Sequence, residues 1–345
     1  MKKLAHITAT AGILTLALAG CSPAQGQDAD QASAADGKPS TITTQEAPKD
    51  LPEKWRYIAG TSDFTPEEST PQLPVTVTDD AKATVEIDDI SKIISSGDNV
   101  SSLLQALGLG DKIAASPDDS LSAAGKAAPE HFEFRKNTGM EGLLALDGTL
   151  FIGDNLKRHG DVSQQFRDAG TDAVLFDVGN TTSDKIRKLS SFVGLPEEGD
   201  RLAESNEKAL KEAQDIGSAE GKSIIQVTAT GAGGQNSVAA NGTPGTEMIE
   251  ALGGISVGAD AGLRGFSREM SAEGLVAADP DYILLSSDDY DRWEGEEGLW
   301  KAFPSLKNTT AGREANVIVM PDSQIKYTGP DSGVGALALA RALQQ

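Results

Sequence analysis

The sequence predicts an α/β protein of two Rossmann-like lobes joined by a long helix, with a ligand cleft between the lobes. Three observations predict it. From Ile93 to Asp177 short apolar runs alternate with helical stretches, the pattern of a mostly parallel sheet covered by helices. The alternation starts again at Ser223 and runs to the end of the chain. Between the two copies, Ser183–Phe192 and Glu197–Ile216 are helical, rich in Lys, Glu and Ala, and broken only at Gly194–Pro196. With no Gly- or Ser-rich hinge there, large clamshell closure is not expected.

Residues 1–20 are read as a lipoprotein signal peptide: Lys2 and Lys3 precede an apolar run from Ile7 to Ala19, and Leu18–Cys21 closes it with small residues before the only cysteine. The run is too short for a comfortable membrane span. Leu18–Cys21 resembles the bacterial lipobox, which implies that Cys21 is lipidated and becomes the mature N-terminus. Residues 21–52 follow as the lipidated Cys and a disordered tether. From Ser22 to Asp50 Ile42 is the only large aliphatic or aromatic residue, too little apolar surface to offset chain entropy. Those 29 residues span roughly 30 Å as a flexible coil.

The N-terminal lobe is placed at residues 53–180, the helical connection at 181–217 and the C-terminal lobe at 218–345. Within the first, an irregular stretch holding Trp55, Tyr57 and Phe64 leads to Val75–Val77 and Ala83–Ile87, which alternate around Asp79 and Asp80 as a β-hairpin. A strand at Ile93–Ile94, a helix at Asn99–Leu107 stopped by Gly108, a strand at Lys112–Ala115 and a helix at Glu141–Leu146 follow. A strand at Thr149–Ile152, a helix at Asp161–Ala169 and a strand at Ala173–Asp177 complete the lobe. In the second lobe Ser223–Val227, Tyr282–Leu285 and Asn316–Met320 are strands, and Thr246–Leu252, Ser271–Ala277 and Gly335–Leu343 are helices. An internal repeat ties the lobes together: Ser101–Gly108 parallels Thr246–Gly253, and Met140–Leu146 parallels Ala272–Ala278.

Composition excludes several functions. The chain of 345 residues carries 30 Lys plus Arg against 52 Asp plus Glu, a formal charge of −22, and without Lys2 and Lys3 the mature charge is near −24. That is the wrong sign for binding nucleic acid. A hydrophobic fraction of 38% supports two domains but no membrane bundle. One cysteine excludes a disulfide framework, and three histidines argue against a multi-His metal site. Enzyme motifs are absent: Gly217–Ser223 is one residue short of a P-loop and runs into a strand, Gly231–Asn236 lacks the third glycine of a dinucleotide fingerprint, and there is neither a nucleophile elbow nor a His-Glu-x-x-His pair. The acidic run Asp288–Asp291 reads as a solvated face.

The chain resembles the substrate-binding proteins of ABC importers for iron chelates, haem and vitamin B12, over about residues 74–345. The residues that carry this are Ala106–Lys112, Glu141–Leu146, Ile249–Gly254, Met320–Gln324 and Gly329–Pro330. Gly262–Phe266 and Glu273–Val276 make it most similar to the haem-binding members of actinobacteria. The resemblance implies a monomeric, extracytoplasmic receptor on the cell membrane that performs no chemistry, needs no cofactor and delivers haem to a permease and its ATPase. The alternatives are a ferric siderophore or cobalamin as ligand, or a surface haem-relay or adhesin lipoprotein without a permease.

The positions that would read the ligand depart from the family. Where an axial His is expected stands Lys136, and the partner Tyr and Arg positions hold Gln226 and Thr228. Candidate iron ligands are then His131, beside Phe132; His159, after the strand ending at Ile152, a position expected to face the interlobe groove; and Tyr327. His131 reads more readily as a surface or packing residue, and none of the three is strong alone. Phe134, Arg135, Lys136, Lys157, Arg158, Arg264 and Arg268 form a basic and aromatic set suited to haem propionates or an anionic chelate if they converge, and scattered surface bases if they do not. Gly231–Gly234 marks a loop where backbone approaches a ligand closely. The family docks on its permease through one carboxylate per lobe. The repeat maps that position to Glu247 in the second lobe and Ser102 in the first, with Asp98 or Asp111 as substitutes for the latter.

Overall fold

A computed structural model describes residues 45–65, 69–133, 140–230 and 236–345, so the segment expected to be a signal peptide, Cys21 and most of the expected tether lie outside the described residues. The first lobe opens with the hairpin of β2 (Val75–Thr78) and β3 (Thr84–Ile87), which follows a short strand β1 (Arg56–Tyr57). Then come β4 (Ile93–Ser95), α1 (Asp98–Ala106), β5 (Ile113–Pro117), α2 (Ala123–Lys126) and β6 (Glu130–Phe132). The lobe closes with α3 (Met140–Leu144), β7 (Leu150–Gly153), α4 (Leu156–Asp168), β8 (Asp172–Leu175) and α5 (Thr182–Phe192). Its sheet is wholly parallel in the order β6-β5-β4-β7-β8. The central strands are apolar runs because both faces are covered: every residue of β4 and β7 is buried. Val100, Leu103 and Leu104 turn the apolar stripe of α1 onto that sheet.

The connecting helix α6 spans Pro196–Ile216, with proline in its first turn and Gly217 ending it at φ +57°, a left-handed cap that glycine adopts without strain. Its first half contributes Leu202 and Ala203 to the core of the first lobe and its second half Ala213 to that of the second. At its middle, buried Asn206 donates to Ser183 Oγ of α5 (3.1 Å) and accepts from the Gly333 N–H (2.8 Å).

The second lobe comprises β9 (Ser223–Thr228), β10 (Ser237–Ala239), α7 (Pro244–Ala251), β11 (Ile255–Ser256), α8 (Val257–Asp260), β12 (Ser267–Arg268) and α9 (Ala272–Ala278). It continues through β13 (Tyr282–Ser286), α10 (Ser287–Arg292), α11 (Glu296–Ala302), α12 (Thr310–Glu314), β14 (Val317–Met320), α13 (Asp322–Ile325) and α14 (Ser332–Ala342). The sheet runs β1-β14-β13-β9-β10-β12, with β11 also on β9. Beyond β9 the sheet is extended antiparallel by β10 and β12, of three and two residues, too short to show a period in the sequence. The repeat is carried into the backbone. Leu143 and Leu275 are buried while Leu144 and Val276 are exposed, and Asp147 and Asp279 both adopt positive φ just past α3 and α9. Among the described residues no helix is long and apolar enough to cross a membrane.

Two boundaries need correction. Residues 53–60 belong to the second lobe: β1 pairs in parallel with β14, and Trp55 is buried against Tyr290 and Trp300. A two-residue strand has no alternation to detect in the sequence. The segment from Gly60 then crosses to the first lobe, where Phe64 packs on the core and the Gln72 N–H donates to Gly194 O (2.8 Å). Second, α5 is part of the first lobe, since Ile186, Leu189 and Phe192 are in its core, leaving α6 alone as the helical link. The crossing segment is pinned where Gly60 exchanges both backbone bonds with the Gln324 side chain (3.0 and 2.8 Å). A Cβ at Gly60 would stand 2.1 Å from the Val334 carbonyl oxygen. Gly60→Ala should therefore cost about 1–3 kcal/mol in urea unfolding, because backbone rather than a flexible side chain must move. An unchanged midpoint would show that the segment does not dock there.

Candidate functional site

In a parallel sheet the loops at the carboxyl ends of the strands form the binding crevice. Here the two sets of loops face one another. Thr328, beyond β14, is bonded to Asn99 and Ser102 at the start of α1, and Glu247 of α7 is bonded to Thr182 at the start of α5. Ser96 and Asp154, just past the ends of β4 and β7, are bonded to the Thr328 point through each other and Asn99.

The structure separates the expected ligand residues. His131 is exposed near the end of the edge strand β6, next to half-buried Phe132. Phe134, Arg135 and Lys136 lie outside the described residues, as do Gly231–Gly234. Lys157 and Arg158 are exposed on the first turn of α4, after β7, whose N-terminus Asn155 caps by accepting from the Arg158 N–H (2.9 Å). Arg264 and Arg268 are exposed on and before β12.

His159 does not face the groove as expected. Only 2% exposed, it turns inward from the same helical turn as Arg158, edge-on to Phe151 and against Gly153, with Nδ1 accepting the Asp154 N–H (3.2 Å). Burial pushes its pKa down to about 4, partly countered by the nearby Asp154 carboxylate. It is a neutral core histidine. Gln226 is likewise committed to structure, donating to Ile325 O (2.9 Å) and accepting from Thr243 Oγ1 (2.9 Å). Thr228 is buried, with Oγ1 donating to Asp289 Oδ1 (3.0 Å). Neither side chain offers a ligand group. Tyr327 is half-buried, and burial followed by Asp98, Asp322, Asp331 and Asp288 raises its pKa well above the ordinary value, so it stays a neutral phenol. A tyrosinate there would be an anion among carboxylates.

The acidic run also differs from expectation. Asp289 is 1% exposed, not solvated, and forms the centre of a charge cluster with Lys326, itself 5% exposed. Lys326 Nζ donates to Asp288 Oδ2 (2.7 Å) and Asp289 Oδ1 (2.8 Å). Burial alone would lower the lysine pKa, but Asp289 and Asp288 more than offset it and raise it. Asp289 also accepts from the Ala229 N–H (2.8 Å) and Ser286 Oγ (2.8 Å), so it ties the ends of β9 and β13 to the loop after α13. A signal existed: Ser286 followed three residues later by Asp289, directly after an apolar strand, is a helix-start pattern, and the Ser286 side chain does accept from the Asp289 N–H. The lysine partner, 37 residues on, left none.

The proposed docking positions are only partly free. Glu247 is half-buried, with Oε2 accepting from Thr182 Oγ1 (2.7 Å) and the Thr182 N–H (3.2 Å). Ser102 is buried against the Thr328 carbonyl. Neither substitute fits the first lobe. Asp98 is held by the Leu121 and Ser122 N–H groups (3.0 and 2.9 Å), and Asp111 precedes β5 at the opposite end of the sheet from the crevice.

Comparison with known proteins agrees with this architecture. The family model described as periplasmic binding protein matches residues 93–324. A heme binding protein HmuT is similar in structure with TM-score 0.68 and 27% identity, over 84% of this chain and 96% of that one. The periplasmic heme-binding protein RhuT of Roseiflexus sp. RS-1 is similar at TM-score 0.62 and 27% identity, over 73% and 97%. A periplasmic heme binding protein of Pseudomonas aeruginosa shares the fold at 23% identity and TM-score 0.59, over 73% and 92%. No curated protein matches the chain.

Proposed function

Because the chain belongs to the periplasmic binding protein family, we propose that it is the extracytoplasmic receptor of an ABC importer, capturing haem between its lobes and handing it to a membrane permease and its ATPase. The observation that carries this reading is the likeness, over nearly their whole length, to two heme-binding proteins at 27% identity. It performs no chemistry; affinity and a small change in lobe angle are its mechanism. Cys21 anchors it to the outer face of the membrane through lipid. Glu247 is its permease contact on the second lobe.

Among the iron-ligand candidates the geometry favours His131, since His159 is enclosed and Tyr327 is held neutral. Arg158 and Arg264 are the propionate partners this reading assigns. The test is a hemin titration of protein beginning at Ser22, followed at the Soret band. A shifted band saturating at one equivalent is expected, with His131→Ala weakening binding at least about tenfold, and Tyr327→Phe leaving the iron spectrum unchanged. No shift at micromolar hemin would retire haem in favour of a ferric siderophore on the same basic residues.

A further inference from the structure

Among the described residues no apolar cluster joins the two sheets: two clusters lie in the first lobe and two in the second, with contributions from the connecting helix and the N-terminal segment. The lobes meet instead through polar groups. Thr328 is bonded to the first lobe by all three of its polar atoms. Its N–H donates to Asn99 Oδ1 (2.6 Å), its carbonyl accepts from Ser102 Oγ (2.5 Å), and its Oγ1 accepts from Lys185 Nζ (3.2 Å). Asn99 is fixed in turn by donating to Asp154 Oδ2 (2.6 Å), whose other oxygen accepts from Ser96 Oγ (3.2 Å). Beside this point Glu247 accepts from both the backbone and the hydroxyl of Thr182. Ser102 and Glu247 occupy equivalent positions in the internal repeat, so each lobe reaches across to the other from the same place in its fold. Lys185 lies buried between the two points, in the fields of Glu247, Asp154 and Asp177.

We propose that Thr328 and Glu247 form a two-point latch that holds the lobes at the ligand-clasping angle and sets how long a ligand stays in the cleft. A polar seam suits this role. Its bonds exchange with water at small net cost, whereas an apolar interface would expose its whole area on opening. The lobe angle is then an equilibrium that a few bonds bias, and retention follows the clasped population. The effect on retention rests on the receptor reading above; the effect on lobe angle does not.

The test uses protein starting at Ser22, which has no cysteine of its own, with Lys126→Cys and Lys301→Cys as exposed spin-label sites in the two lobes. Without ligand, the labelled parent should give one narrow interspin distance. Asn99→Ala with Ser102→Ala should broaden it and shift it outward, and Thr182→Val should do the same from the other latch point. Hemin dissociation should speed up about tenfold, the equivalent of losing two neutral hydrogen bonds. If the double variant does not fold, Thr182→Val decides. An unchanged distance distribution in a folded variant overturns the latch. If hemin fails to bind the parent, the haem reading falls while the distances still decide the latch.

Discussion

Asp289→Ala is expected to cost about 3–5 kcal/mol in urea unfolding at neutral pH, since it removes one partner of a buried ion pair and leaves the other uncompensated. The substitution takes an acceptor from Lys326, Thr228, Ala229 and Ser286 at once. Asp288 alone would face an ammonium that is 5% exposed. The contrast is Asp291→Ala, two positions along the same acidic run but exposed, where the change should stay within about 0.5 kcal/mol. Pairing Asp289→Asn with Lys326→Met should cost less than Asp289→Ala alone, because the buried ammonium goes with its partner and Asp288, the carboxylate that remains, keeps Arg292. Equal midpoints for the Asp289 and Asp291 variants would show that the cluster contributes nothing.

His159 should make the protein acid-sensitive in a defined window. Its folded pKa is pushed down to about 4 from 6.5 by burial. Below the unfolded value the unfolded chain takes up a proton that the folded chain refuses, so acid favours unfolding. Stability should therefore fall as pH drops from about 6.5 and level off below about 4, by up to about 3 kcal/mol. Asp98 and Asp322, whose pKa values burial raises, act in the opposite direction, so the histidine must be isolated by comparison. His159→Gln keeps an acceptor for the Asp154 N–H and should flatten the pH dependence across that window. Parallel curves for the two proteins would sink the assignment of a neutral buried imidazole.

Local and periodic features were legible in the sequence. The stripe of Val100, Leu103, Leu104 and Leu107, the break at Gly194–Pro196 and the paired Glu-Gly-Leu segments each encode their own element, because period and punctuation act over a few residues. The repeat went further, foretelling two similar lobes and the matched positions of Ser102 and Glu247. The site was less legible. Nothing near His159 separates a histidine that faces a groove from one that turns beneath it, since a helix start presents both directions within one turn. Asp289 and Asp291 have the same composition around them, and only the distant lysine makes one a core residue and the other a surface one.

By itself the sequence determined two α/β lobes, a helix between them and a strongly acidic chain. The tertiary structure alone decided that the N-terminal segment starts in the second lobe, and that Gln226 and Thr228 serve packing rather than ligand. It also decided that the lobes are joined by polar bonds. Secondary structure is set by neighbours three or four residues away, whereas the bond from Ser102 to Thr328 spans 226 residues and exists only once both lobes have folded.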